Sequence, residues 1–233
     1  MNNKKNIQPR FKKFKEPGDA ARLQRMILEM ERGFDFLKAF DDNRVVTVFG
    51  SAQTPPSSKI YQQARQLGVR LAQEEIVVAT GGGPGIMEAA NLGAFEAGGQ
   101  SVGINIYLGE KERRNDYVTE SIGFHYFFAR KVILAHIAQA YVYFPGGFGT
   151  LDEFFEISTL VATNKIEEKM PIVLFGKAAY WKSMLTWLEK TCIQKNKTIH
   201  KEQLKMWHVT DSVDEAIEIV RKIPANIHRH ESV

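Results

Sequence analysis

Cysteine is almost missing from this chain: Cys192 is the only one in 233 residues. No internal disulfide can form, and a reducing, cytoplasmic setting fits that usage. Long apolar runs are missing too. Nothing approaches the roughly 18 consecutive apolar residues of a membrane span. The start, MNNKKNIQPRFKKFK, offers no apolar stretch suited to a secretory signal. A cytoplasmic protein with no membrane partner is therefore expected. The six histidines are dispersed without ligand spacing, so no metal and no cofactor are expected. Neither the dinucleotide fingerprint G-x-G-x-x-G nor a P-loop lysine occurs.

What remains is ordinary for one sizeable globular domain: 44% hydrophobic and 25% charged residues. The net charge of +4 is misleading. Residues 1–15 hold six basic side chains (Lys4, Lys5, Arg10, Lys12, Lys13, Lys15) and no acid, which leaves 25 basic against 27 acidic residues elsewhere. The globular part is thus near −2 and is no basic nucleic-acid-binding body. Residues 1–17 read as a flexible basic arm, 18–223 as one domain, and 224–233 as a frayed tail.

Residues 18–40 carry Leu23, Met26, Ile27, Met30, Phe34 and Leu37 at three- and four-residue spacing, which predicts an amphipathic helix. From Arg44 onward, short apolar runs alternate with helical stretches. The expected strands are Val45–Phe49, Ile76–Thr80, Ser101–Ile106, Ala140–Phe144 and Pro171–Phe175; the expected helices lie near 58–74, 84–97, 127–138, 150–163 and 179–194. Residues 203–222 add a short strand and a helix capped by Asp211 or Ser212. Strands this apolar are covered on both faces. The class is α/β: a doubly wound, mostly parallel sheet with helices on both faces.

Two glycine loops punctuate this pattern. Thr80-Gly81-Gly82-Gly83-Pro84-Gly85 follows the run IVVA and opens a helix containing Glu88. Pro145-Gly146-Gly147-Phe148-Gly149-Thr150 follows AYVYF and opens a helix containing Glu153 and Glu156. Glycines let a ligand approach the backbone, and a helix N-terminus offers free N–H groups and partial positive charge to a phosphate. Ligands of open α/β sheets bind beyond the carboxyl ends of the strands. One phosphate held between Gly82, Gly83, Gly85 and Gly146, Gly147, Gly149, Thr150 is the economical reading, with Ser51 of FGSAQ as a further contact or a turn residue. Thr150 and Glu153 also spell a capping box, and residues alone leave the two readings of Glu153 level.

The stretches GGGPGIMEAAN, Arg130-Lys131 and PGGFGTLDE resemble the LOG (Lonely Guy) family of cytokinin-activating phosphoribohydrolases, formerly labelled lysine decarboxylases. The likeness spans about residues 44–195. It implies a Rossmann-like fold that hydrolyses nucleoside 5′-monophosphates, such as AMP or a cytokinin riboside monophosphate, to free base and ribose 5-phosphate. It implies Arg130 and Glu153 as the catalytic pair. Glu88 and Leu134 stand where plant-type members differ, and the N-terminal helix suits a larger bacterial branch. The preferred base stays open.

Cleaving the glycosidic bond builds positive charge on the ribose, which a carboxylate near C1′ stabilises. Glu153 is the candidate, with Glu88 and Glu156 in reserve. Arg130, always protonated, suits phosphate or leaving base better than proton donation; Lys131 reads as a solvated neighbour. The polar segment Leu108–Val118 reads as a long loop, with Asn115 and Tyr117 near the ligand at most. A nucleotide sensor or carrier without turnover is the alternative. A pyridoxal-phosphate decarboxylase needs a Schiff-base lysine, and neither loop holds one. The apolar helix face and Phe124–Phe128 suggest a homodimer or a multiple of it.

Overall fold

The computed structural model describes residues 18–107, 114–165, 170–176 and 180–223. The arm over 1–17, the tail over 224–233 and most of the polar segment 108–118 lie outside the described residues.

Among the described residues seven strands form one sheet, β1 (Val45–Phe49), β2 (Val77–Thr80), β3 (Ser101–Ile106), β4 (Glu120–Phe124), β5 (Ala140–Tyr143), β6 (Ile172–Phe175) and β7 (Trp207–Thr210), in the order β4-β3-β2-β1-β5-β6-β7. Every recorded pairing is parallel. The central strands are almost wholly apolar and buried along their length. A strand buried on both faces sends alternate side chains into two cores. β1 does this: Val45 and Phe49 enter one cluster, Val46 and Val48 the other.

Helices close both faces. α1 (Asp19–Lys38), α4 (Phe127–Ile137), α5 (Phe148–Ala162) and α6 (Lys182–Trp187) supply the first cluster; α2 (Lys59–Gln73), α3 (Ile86–Glu96) and α7 (Val213–Val220) the second. α6 runs on as a π-helical stretch over Leu188–Lys195. Serine side chains cap α2 and α7: Ser58 accepts from the Tyr61 N–H and Ser212 from the Glu215 N–H. Of the two expected caps for the last helix, it is Ser212 that acts.

The strand β4 had no counterpart in the sequence pattern. Only Ile122 and Phe124 of Glu-Ser-Ile-Gly-Phe are buried, because β4 is an edge strand, so no continuous apolar run marks it. It pairs with β3 from Val102↔Glu120 to Ile106↔Phe124, and it buries Phe124, the first of the aromatic run read as exposed surface. Phe127 and Phe128 remain exposed.

The strand order reverses between β1 and β5. β1 leads to α2 on one face and β5 leads to α5 on the other, so the two connections part and leave a crevice at the carboxyl ends of the strands.

Candidate functional site

A cavity of about 630 Å³ occupies that crevice. Its wall combines the end of β1 and the backbone after it (Phe49–Thr54), Gly81 after β2, Met87 of α3, Phe127 and Arg130 of α4, and the loop and first turns of α5. Five segments of the chain therefore meet around one space.

The second glycine loop builds one side. α5 begins at Phe148, with Gly147 at its N-cap and no side chain capping it. Thr150 is thus the third helical residue, and the Thr-x-x-Glu capping box does not form. The first amides of a helix have no intrahelical partner, and these open on a cavity lined by Gly146, Gly147, Gly149 and Thr150. A Cβ on Gly146 would collide with the Thr150 side chain, whereas Cβ atoms on Gly147 or Gly149 would meet nothing within 4 Å.

Glu153, freed from capping, lines the cavity and is 5% exposed. Its Oε2 has no hydrogen-bond partner among the described residues. Burial pushes its carboxyl up to about 7, against the opposing pull of the Arg130 guanidinium and with a further push from Glu156. Arg130 is half-buried, and burial draws its guanidinium below the ordinary value, against the upward pull of Glu153. Arg130 Nε donates to the Ile104 carbonyl at 2.8 Å. Its guanidinium occupies the space a Cβ on Gly81 would need.

The first glycine loop acts differently from the second. Gly82 and Gly85 have φ of +70° and +72°, and their Cβ positions would strike the Asn105 side chain and the Ser51–Ala52 backbone. Neither they nor Gly83 line the cavity; Gly81 does. The loop is held from behind by Asn115, whose N–H donates to Gly82 O at 2.8 Å and whose Nδ2 donates to Gly83 O and Asn91 Oδ1, both at 3.0 Å. Asn115 therefore braces the loop and does not reach the cavity. The helix starts at Ile86, so Pro84 precedes the first turn, and the Ile86 N–H is taken by Ser51 O at 3.0 Å. Of the two glycine loops, it is thus the one at the α5 end whose helix amides open on the cavity.

Ser51 lines the cavity, and its N–H donates to Pro145 O at 3.0 Å, tying the β1 end to the second loop. Glu88 lies outside the cavity lining and accepts from Tyr61 Oη at 2.9 Å. Glu156 pairs with Lys131 at 2.9 Å, and Asp152 pairs with the same ammonium at 3.0 Å. Lys131 is 19% exposed in its side chain, so it straps α4 to α5 and is no solvated neighbour. Sequence reasoning missed Gly81, Phe127, Gln53 and Asp152 as lining residues. Gly81 and Asp152 lay within the two glycine-loop motifs and Gln53 at the end of FGSAQ, while Phe127 had no such signal. Among the described residues, no group of three or more His, Cys, Asp or Glu could hold a metal ion, and no helix is long and apolar enough to cross a membrane.

Comparison with known proteins matches residues 87–220 to a family described as "Possible lysine decarboxylase". The chain is 30% identical over 155 residues to the cytokinin riboside 5′-monophosphate phosphoribohydrolase of Rhodococcoides fascians, covering 64% of this chain and 76% of that protein. It is 29% identical over 193 residues to a protein of the same name from Arabidopsis thaliana, covering 82% and 86%. Among solved structures it is similar to the molybdenum cofactor carrier protein of Chlamydomonas reinhardtii, with TM-score 0.57, 25% identity, and coverage of 78% of this chain and 98% of that one.

Proposed function

Because the chain belongs to the LOG family, the one described as "Possible lysine decarboxylase", we propose that it hydrolyses the N-glycosidic bond of a nucleoside 5′-monophosphate, of AMP or cytokinin riboside monophosphate type. One observation carries the reading: a carboxylate with an unpartnered oxygen, Glu153, buried in a cavity beside Arg130 and a bare helix N-terminus. The phosphate sits on the first-turn amides of α5, between Gly146, Gly147, Gly149 and Thr150. Ribose C1′ then faces Glu153.

As the C1′–N bond breaks, its electrons leave with the base, and positive charge grows on the ribose. Ionised Glu153 stabilises that charge and takes a proton from the attacking water, whose oxygen bonds to C1′. The base leaves as an anion, stabilised by the Arg130 guanidinium, and takes up a proton from solvent. The products are free base and ribose 5-phosphate. A carboxyl near 7 suits this work, because it is ionised in part at neutral pH and able to hold the proton it receives. We propose further that the protein acts in the cytoplasm as a homodimer or a multiple of it, through the exposed Leu23, Ile27, Phe127 and Phe128.

The resemblance to a molybdenum cofactor carrier supports a second reading, nucleotide binding without turnover. Decarboxylation through a pyridoxal Schiff base has less support: among the described residues no lysine lines the cavity, and Lys131 is held by two carboxylates. Incubation with a panel of nucleoside 5′-monophosphates, with assays for base and ribose 5-phosphate, tests the proposal. Release of both in equal amounts is expected; tight binding with no release would replace hydrolysis by the carrier reading.

A further inference from the structure

The helix α1 precedes the sheet and contributes nothing to the cavity wall among the described residues. It lies close against α4. A Cβ on Gly33 would stand 2.6 Å from Ile133 Cδ1 and 3.2 Å from the Phe124 ring, so the crossing has no room for a side chain. One turn earlier, Glu29 reaches the start of α4. This carboxylate is only 7% exposed. Its Oε1 accepts the His125 N–H at 2.8 Å and its Oε2 the Tyr126 N–H at 3.1 Å.

Tyr126 is the N-cap of α4 and provides no side-chain cap. A carboxylate on another helix holds this end instead, accepting from the amides of the N-cap residue and the residue before it through two charge-assisted bonds and attracted to the helix dipole. The next turn of α4 carries Phe127 and Arg130 into the cavity. The Arg130 N–H donates to Tyr126 O at 3.1 Å, so the arginine is one hydrogen bond from the capped residue.

We propose that Glu29 is a positioning residue for the site: by holding the start of α4 from outside the sheet, it sets where the Arg130 guanidinium lies over Gly81. The kinetic consequence rests on the hydrolase reading; the structural one does not. A helix end without its cap frays first. Fraying of the first turn moves Arg130 and loosens its bond to Ile104 O.

The test compares wild type, Glu29→Gln and Glu29→Ala, each checked for folding by circular dichroism. In ligand-free protein, the Arg130 Nε–H resonance reports its bond to Ile104 O. It should move and exchange about tenfold faster with solvent in Glu29→Ala, and by less in Glu29→Gln, which keeps one acceptor oxygen. Turnover measured well below the melting temperature should fall about tenfold in Glu29→Ala. An unchanged Arg130 resonance in either folded variant overturns the proposal. If Glu29→Ala fails to fold, Glu29→Gln decides. A wild-type protein without turnover would sink the hydrolase reading alone, since the resonance still answers for Glu29.

Discussion

Changing Glu153 to glutamine should make this protein progressively more stable relative to wild type as pH rises, while removing its activity. The carboxyl is pushed from 4.5 to about 7 in the folded state, chiefly by burial. The folded protein therefore binds this proton more tightly than the unfolded chain does. The stability it brings is present in full below the unfolded value and is lost as pH rises through the folded one. Between pH 5 and pH 8 that loss amounts to about 2.5 kcal/mol. Glutamine fills the same space and cannot ionise. Its amide has its own cost of burial, but that cost does not vary with pH. The difference in unfolding free energy, variant minus wild type, should therefore grow by about 2.5 kcal/mol from pH 5 to pH 8, or about 5 °C in melting temperature. Denaturant titrations of both proteins at the two pH values measure it. Turnover at pH 8 should drop by on the order of a hundredfold or more. A stability difference independent of pH would refute the account of a buried, unpartnered carboxyl. Near-normal turnover in Glu153→Gln would refute its catalytic role.

Further outcomes follow from the same geometry. If the working form of Glu153 is ionised, kcat/KM should rise with pH through about 7 and then level off; a falling limb there would mean the protonated form is required. AMP should bind far more tightly than adenosine in calorimetry, because the α5 end recognises phosphate, and equal affinities would remove that seat. Gly147→Val should fold normally, since φ is −95° and the Cβ meets nothing, yet lose nucleotide binding by filling the phosphate approach; unimpaired binding would contradict the assignment. Gly82→Val should instead destabilise the protein, because φ is +70° and the side chain would strike Asn105, so unchanged denaturant stability would argue against this crowding of the first loop. Light scattering at micromolar concentration should give a dimer or its multiple, and a clean monomer would refute the proposed assembly.

Much of this protein is local and therefore legible in its sequence. Val45–Phe49 and the strands with Val77–Thr80 and Ile172–Phe175 announce themselves because each is apolar enough to be buried on both faces, and the helices between them because their apolar residues recur at helical spacing. The glycine loops, Arg130 and the Pro-Gly-Gly-x-Gly-Thr motif could be read directly, and with them the family. β4 could not, because an edge strand with two buried residues has no periodic signature. The choice between capping and cavity at Glu153 needed the third dimension, since Thr-x-x-Glu spells both; Gly147 at the N-cap moves Thr150 one turn inward and leaves the carboxylate unpartnered. The unequal roles of the two glycine loops also lie beyond pattern. Glycine is required equally for a ligand's approach and for a neighbour's, and only packing shows that Asn105 and Ser51 crowd Gly82 and Gly85 while Gly147 faces open space. Local spacing determines which elements form and where their helix ends point; which side chain stands opposite, 23 residues away for Arg130 and Glu153 and 96 for His125 and Glu29, is decided by long-range packing that no local spacing encodes.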